Sequence, residues 1–169
     1  MNVYRCRICG DPNLGEEVPS RCPFCGAHPR YMLLAADYQP AGEVSLSRKT
    51  RDHLEKALEL EIGNSCFYRG AAKVADSEDG RALFSALAKV EAEHAGIACK
   101  LLGRSKPDEL FETGDCSPVH HENLEESHRR ENRAVHLYRQ FLEEAEEERV
   151  REVFEALIEI EADHMSFSA

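Results

Sequence analysis

Two stretches of this chain repeat one another at a fixed offset of 70 residues, and each carries Glu, Tyr and Glu-x-x-His in helical register. Shifting the second stretch back lays Leu124 on Leu54, Glu131 on Glu61, Tyr138 on Tyr68, Arg139 on Arg69 and Ala145 on Ala75, without a gap. The same shift lays Phe154 on Phe84, Leu157 on Leu87, Glu161 on Glu91 and His164 on His94. One helix pair used twice predicts two hairpins related by a pseudo-twofold axis, each supplying half of a site.

The periodicity supports this. From Arg48 onward Leu54, Leu58, Glu61, Ser65, Tyr68 and Ala72 share one helical face at steps of three and four. Ser77, Asp79 and Gly80 interrupt the pattern, and a second helix then places Leu83, Leu87, Val90, His94, Ile97 and Leu101 inward before ending at Gly103. Gly103 to His121, with Pro107, Gly114 and Pro118, is too long for a hairpin turn and reads as a crossover along the bundle. Two further helices follow, with a short turn near Glu147. Hairpin, long crossover, hairpin is the connectivity of an all-α, ferritin-like four-helix bundle, expected over residues 48–169.

Glu91 with His94, and Glu161 with His164, stand at i, i+3 within apolar stripes, so each pair shares a core-facing surface. Glu61 and Glu131 each lie 30 residues upstream of the corresponding Glu-x-x-His Glu. Four buried carboxylates are costly unless cations neutralise them. Four carboxylates and two imidazoles are what two adjacent iron or manganese ions need: oxygen donors that can bridge and one nitrogen per metal. Tyr68 and Tyr138 lie two turns beyond Glu61 and Glu131 on the same faces, placed either for packing or for hydrogen bonding to the ligand carboxylates. His128, one turn before Glu131, is an extra ligand or a polar residue beside the site. Glu93, Asp163 and the run from Glu143 to Glu148 are expected on a solvent face, and Cys66 and Cys99 as small buried residues.

Four of the seven cysteines fall within the first 25 residues, where apolar residues are too few to build a core without a metal. Cys6-Arg-Ile-Cys9-Gly10 and Cys22-Pro-Phe-Cys25-Gly26 form two thiolate pairs, each followed by a Gly that permits a close turn with backbone N–H groups directed at sulfur. Iron and zinc both fit such a site. A di-iron oxidant needs electrons one at a time, and a tetrathiolate iron delivers them so. The domains are therefore expected at 1–36 for the cysteine knuckles, 37–47 for a Pro- and Gly-containing linker, and 48–169 for the bundle.

With these motifs assembled, the chain resembles the rubrerythrins. Tyr4 to Leu34, including Tyr-Arg-Cys-Arg-Ile-Cys-Gly and Cys-Pro-Phe-Cys-Gly-Ala-His-Pro, is similar to the family's rubredoxin module, and Phe84 to His94 resembles its second bundle helix. The module comes first here, as in the reverse rubrerythrins. The resemblance implies a rubredoxin-like iron at Cys6, Cys9, Cys22 and Cys25, and di-iron ligands at Glu61, Glu91, His94, Glu131, Glu161 and His164. It implies a non-haem di-iron peroxidase that reduces hydrogen peroxide to water with electrons passed from a reductase, in oxidative-stress defence. It also implies a homodimer in which one subunit's rubredoxin iron lies near the other's di-iron site. In typical members a further Glu one turn after the third-helix ligand exchanges with a His as the iron changes oxidation state; the repeat places Ala134 there.

A ferroxidase or iron-sequestering protein, acting on ferrous ions, is the alternative, and oxygen is an alternative substrate to peroxide. A zinc-ribbon interaction module on a metal-free bundle is a third reading. The balance of 21 basic against 32 acidic residues, net −11, argues against nucleic acid or an anionic membrane as partner. The N-terminus carries no export signal and no run of 18 apolar residues occurs, so a cytoplasmic location is expected, where Cys-x-x-Cys pairs more often bind metal than form disulfides.

Overall fold

The computed structural model describes residues 1–168. The cysteine-rich segment contains more regular structure than a set of turns. Strand β1 (Asn2–Cys6) pairs antiparallel with β2 (Pro12–Gly15) on one side and β3 (Met32–Leu34) on the other, giving the order β2-β1-β3. The strands are too short to show a clear alternation, which is why periodicity alone missed them. Both knuckle glycines adopt positive φ, 85° at Gly10 and 77° at Gly26, the conformation each tight turn requires.

Four helices follow: α1 (Arg48–Val74), α2 (Glu78–Leu102), α3 (His120–Glu144) and α4 (Glu148–His164). The bundle behind a small tetracysteine domain is thus as the repeat predicts. The first two starts have a local cause. The Ser47 hydroxyl accepts from Thr50 N at 3.2 Å and caps α1, and the Ser77 hydroxyl accepts from Gly80 N at 3.0 Å and caps α2. Gly80 therefore lies inside the first turn of α2 rather than in the break before it. Gly103, at φ 71°, ends α2 with its N–H turned back to Cys99 and Lys100 carbonyls.

The repeat is visible in the core. Tyr68 stacks on Phe84 with ring centroids 6.0 Å apart, and their equivalents Tyr138 and Phe154 stack at 5.7 Å. The crossover between α2 and α3 is pinned to the bundle: Leu110 is fully buried, its carbonyl accepts from the Ser65 hydroxyl at 3.2 Å, and Gly114 N donates to Cys66 O at 2.8 Å. Burying one leucine contributes about 2 kcal/mol and adds to these hydrogen bonds in anchoring a segment whose regular structure is one short 3-10 turn. Leu83 and Val90, expected inside, are half-buried and border a cavity instead.

Candidate metal centres

The four helices bring six side chains together at mid-bundle. Ligand atoms of Glu61, Glu91, His94 and Glu161 lie within 4.8 Å of one another, and so do those of Glu91, Glu131, Glu161 and His164. Glu91 and Glu161 belong to both groups, with one oxygen turned to each. His94 Nδ1 lies 3.3 Å from Glu91 Oε2 and 3.0 Å from Glu161 Oε1, whereas His164 Nδ1 lies 3.3 Å from Glu91 Oε1 and 3.1 Å from Glu161 Oε2. Glu61 stands 3.9 Å from His94 Nδ1, and Glu131 the same distance from His164 Nδ1. All four carboxylates are at most 1% exposed.

This donor set fits a pair of cations. Glu61 Oε2, both Glu91 oxygens, Glu131 Oε2, Glu161 Oε1 and His94 Nδ1 are buried without a hydrogen-bond partner, although several lie within ion-pair distance of one another. Their short separations lack hydrogen-bond alignment, so the atoms face shared space rather than each other. Buried polar atoms left in this state call for an ion. Burial pushes the Glu61 and Glu131 carboxyls well above the usual range. Burial also works against charge at Glu91 and Glu161, but the adjacent imidazoles hold both below it. Burial would depress His94 and His164; the surrounding carboxylates overcome it and raise both. The charge separation that protons maintain here is the one two divalent cations would replace.

The tyrosines cross the repeat. Tyr138 of α3 donates to Glu61 of α1, and Tyr68 of α1 donates to Glu131 of α3 while its oxygen receives the Ser127 hydroxyl at 2.9 Å. Each tyrosine thus bonds the carboxylate of the opposite hairpin, not the one on its own helix; linear spacing cannot reveal that. Ala134 is fully buried, and His128, half-buried, is in neither donor group.

The second centre is the tetracysteine cluster. Cys6, Cys9, Cys22 and Cys25 are buried with sulfurs within 4.8 Å; Cys6 to Cys25 and Cys9 to Cys22 are each 3.7 Å apart. Ile8 N donates to Cys6 Sγ at 3.4 Å and Asp11 N to Cys9 Sγ at 3.5 Å, a pattern that stabilises thiolate charge. Interaction with Cys22 pushes the Cys9 thiol up, whereas bonds from Cys25, Cys6 and Cys9 hold Cys22 down.

The two centres adjoin within one chain. His94 Nε2 lies 2.9 Å from the Cys25 carbonyl oxygen and donates to it. Several contacts hold the knuckle domain there. Arg149 and Lys100 donate to the Ile8 and Cys9 carbonyls at 2.9 and 2.6 Å, and Arg21 and His28 both reach Asp163, at 2.8 and 3.0 Å. Arg7 pairs with Glu152, and Arg30 with Glu159. Asp163 and Glu93, expected on a solvent face, are half-buried in this junction, Glu93 lying 3.6 Å from Lys100 and 3.0 Å from Lys106. Cys99 is buried as expected, whereas Cys66 is half-buried and donates to the Glu109 carbonyl at 3.1 Å.

Residues 52–115, which contain Glu61 and the first Glu-x-x-His, match the rubrerythrin family model. Through this segment the chain is similar to the rubrerythrins. It is 25% identical over 114 residues to Reverse rubrerythrin-1 of Clostridium acetobutylicum, an alignment covering 61% of this chain and 63% of that rubrerythrin, less than two-thirds of its length. No solved structure matches significantly. No described helix of the chain is long and apolar enough to cross a membrane.

Proposed function

We propose that this protein is a rubrerythrin-type non-haem di-iron peroxidase that reduces hydrogen peroxide to water, fed one electron at a time through a rubredoxin-like iron held by Cys6, Cys9, Cys22 and Cys25. The observation that carries this reading is the position of His94. Its Nδ1 faces the carboxylates and its Nε2 bonds the carbonyl of a knuckle cysteine, so a single side chain joins both centres.

Glu61 and His94 would hold one iron, Glu131 and His164 the other, with Glu91 and Glu161 shared between them. When bound, the pair supplies reducing equivalents and Lewis acidity toward peroxide oxygen. The chain's own groups do the rest. The Cys25 carbonyl holds the His94 proton on Nε2 and leaves Nδ1 free to act as a ligand. Tyr138 and Tyr68 fix the orientation of Glu61 and Glu131. Burial of all six side chains keeps bulk water from competing. A cytoplasmic location, a homodimer and a dedicated reductase complete the proposal.

Anaerobic purification with metal counting, followed by stopped-flow addition of peroxide to the reduced protein, tests it. Three irons per chain and oxidation of two of them by one equivalent of peroxide are expected from the donor sets. Release of ferric ion instead would indicate a ferroxidase. Zinc in the knuckles with no metal in the bundle would support the interaction-module reading.

A further inference from the structure

The two repeat-related histidines have different surroundings. His94 Nε2 is taken by the Cys25 carbonyl, whereas His164 Nε2 has no hydrogen-bond partner among the described residues. The ring of His164 instead borders a cavity of about 470 Å³. Its walls are Leu83, Ala86, Leu87 and Val90 of α2 with Ile160 of α4. Phe167 and the Arg21–Asp163 ion pair stand at the solvent side, Phe167 being 56% exposed. Three other large cavities touch none of the six clustered carboxylate and imidazole side chains.

A cavity of this size lies within the range of about 300–1,000 Å³ usual for organic ligands. It is far larger than hydrogen peroxide needs, a molecule comparable to water with its share of about 30 Å³. Apolar walls give hydrogen peroxide no hydrogen bonds in exchange for lost hydration, so they select against it. They suit a hydrocarbon chain, and the one buried polar side chain in the lining, that of His164, suits an oxygen at the end of that chain.

We propose that this cavity binds organic hydroperoxides bearing an apolar alkyl or aryl group of about eight to ten carbons, with the hydroperoxide end at His164. This inference rests on the peroxidase reading above and names a substrate class for it. In the overall reaction the O–O bond breaks and each oxygen takes up a proton, releasing one alcohol and one water. The hydroperoxide is reduced by two electrons, supplied singly by the reductase through the tetracysteine site. Occupancy by a second copy of the chain is the competing use of the same surface. The presence in the lining of an imidazole from the carboxylate cluster favours the substrate.

The test uses cumyl alcohol, the unreactive product of cumene hydroperoxide, titrated calorimetrically into the purified full chain with and without iron. Saturable binding at one site per chain is expected, and Ala86→Trp, which fills the cavity from the exposed side of α2, should weaken it at least about tenfold. Ala82→Trp, one turn away, gives a second reading should A86W fold poorly. In the iron-loaded protein, the ratio of kcat/KM for cumene hydroperoxide to that for hydrogen peroxide should fall about tenfold in the same variants. Failure of cumyl alcohol to bind the wild type, or binding unchanged in both variants, overturns the inference even if hydrogen peroxide is reduced. Binding abolished by the variants with neither peroxide reduced overturns the peroxidase reading and leaves the apolar site standing. Conversion of a dimer to a monomer by A86W, with no alcohol binding to the wild type, assigns the surface to self-association and overturns the inference.

Discussion

The Nε2 of His94 donates to the carbonyl oxygen of Cys25 at 2.9 Å, joining a helix of the bundle to the second knuckle of the N-terminal domain. This contact lies within a single chain, where the family resemblance leads one to expect an approach between subunits. It fixes the tautomer of His94 and links a residue of one cluster to a residue of the other through a single hydrogen bond.

Gly26 holds that carbonyl in place. Its φ of 77° disfavours any side chain, and a Cβ would come 3.2 Å from Ile160 Cγ2. Gly26→Ala should therefore displace the Cys25 carbonyl at a cost of about 1–2 kcal/mol. Iron content is expected to stay unchanged, while electron transfer from the knuckle to the bundle slows at least about tenfold. Stopped-flow absorbance of the tetrathiolate iron after peroxide addition reads this directly; an unchanged rate with the carbonyl displaced would remove the contact from the electron path.

The crossed tyrosines make separable contributions. Tyr138→Phe leaves Glu61 without its donor, and Tyr68→Phe does the same to Glu131. Each should weaken one of two metals by about tenfold or more while sparing the other, and lower stability by about 1–3 kcal/mol. Competition titrations with a chelator measure the first effect and denaturant unfolding the second. Equal weakening of both metals by either variant would argue against the pairing.

Metal-free and loaded protein should respond oppositely to pH. Glu61, Glu131, His94 and His164 all bind protons more tightly folded than free. The unfolded chain loses those protons first, from 4.5 for the carboxyls and 6.5 for the imidazoles, so metal-free stability falls as pH rises beyond those values. Glu91 and Glu161 act in the opposite sense, but only as pH drops below 4.5 toward their lowered values. Metal replaces the protons and its binding strengthens with pH. Urea unfolding at about pH 5.5 and 8.5, with and without anaerobic ferrous ion, should show a loss on raising pH in the metal-free protein alone.

Gly63 and Gly70, two turns apart on α1, should respond with opposite signs. A Cβ at Gly70 would sit 2.4 Å from the Gly114 carbonyl oxygen, where only backbone displacement of the crossover relieves the clash. Gly70→Ala should cost about 1–3 kcal/mol. Gly63 is exposed and meets nothing within 4 Å, so Gly63→Ala should gain about 0.5–1 kcal/mol from helix propensity. Thermal melts of the two variants shifting in the same direction would contradict the packing of the crossover on α1.

The repeat made much of this protein legible without coordinates. Residues i, i+3 and i, i+4 on a helix share a face whatever surrounds them, so Glu91 with His94, Glu161 with His164, and the inward stripe through Glu61 and Tyr68 follow from local geometry alone. Cys-x-x-Cys-Gly has the same character, because a tight turn and a positive φ are local demands. Less was readable where pairing spans the molecule. The three short strands depend on partners up to 30 residues away, and Gly80 entered a helix because Ser77 caps it.

What only the tertiary structure decided is how equivalent residues came to differ. Tyr68 and Glu61 share a face on one helix, yet each bonds a residue of the opposite hairpin, because the bundle axis brings α1 against α3. His94 and His164 occupy the same place in the repeat, but the knuckle domain docks beside one of them and leaves the other bordering a cavity. Helical spacing determines which side chains face inward. Which atom each one meets depends on packing between segments distant in the chain, and that information is carried by no single stretch of sequence.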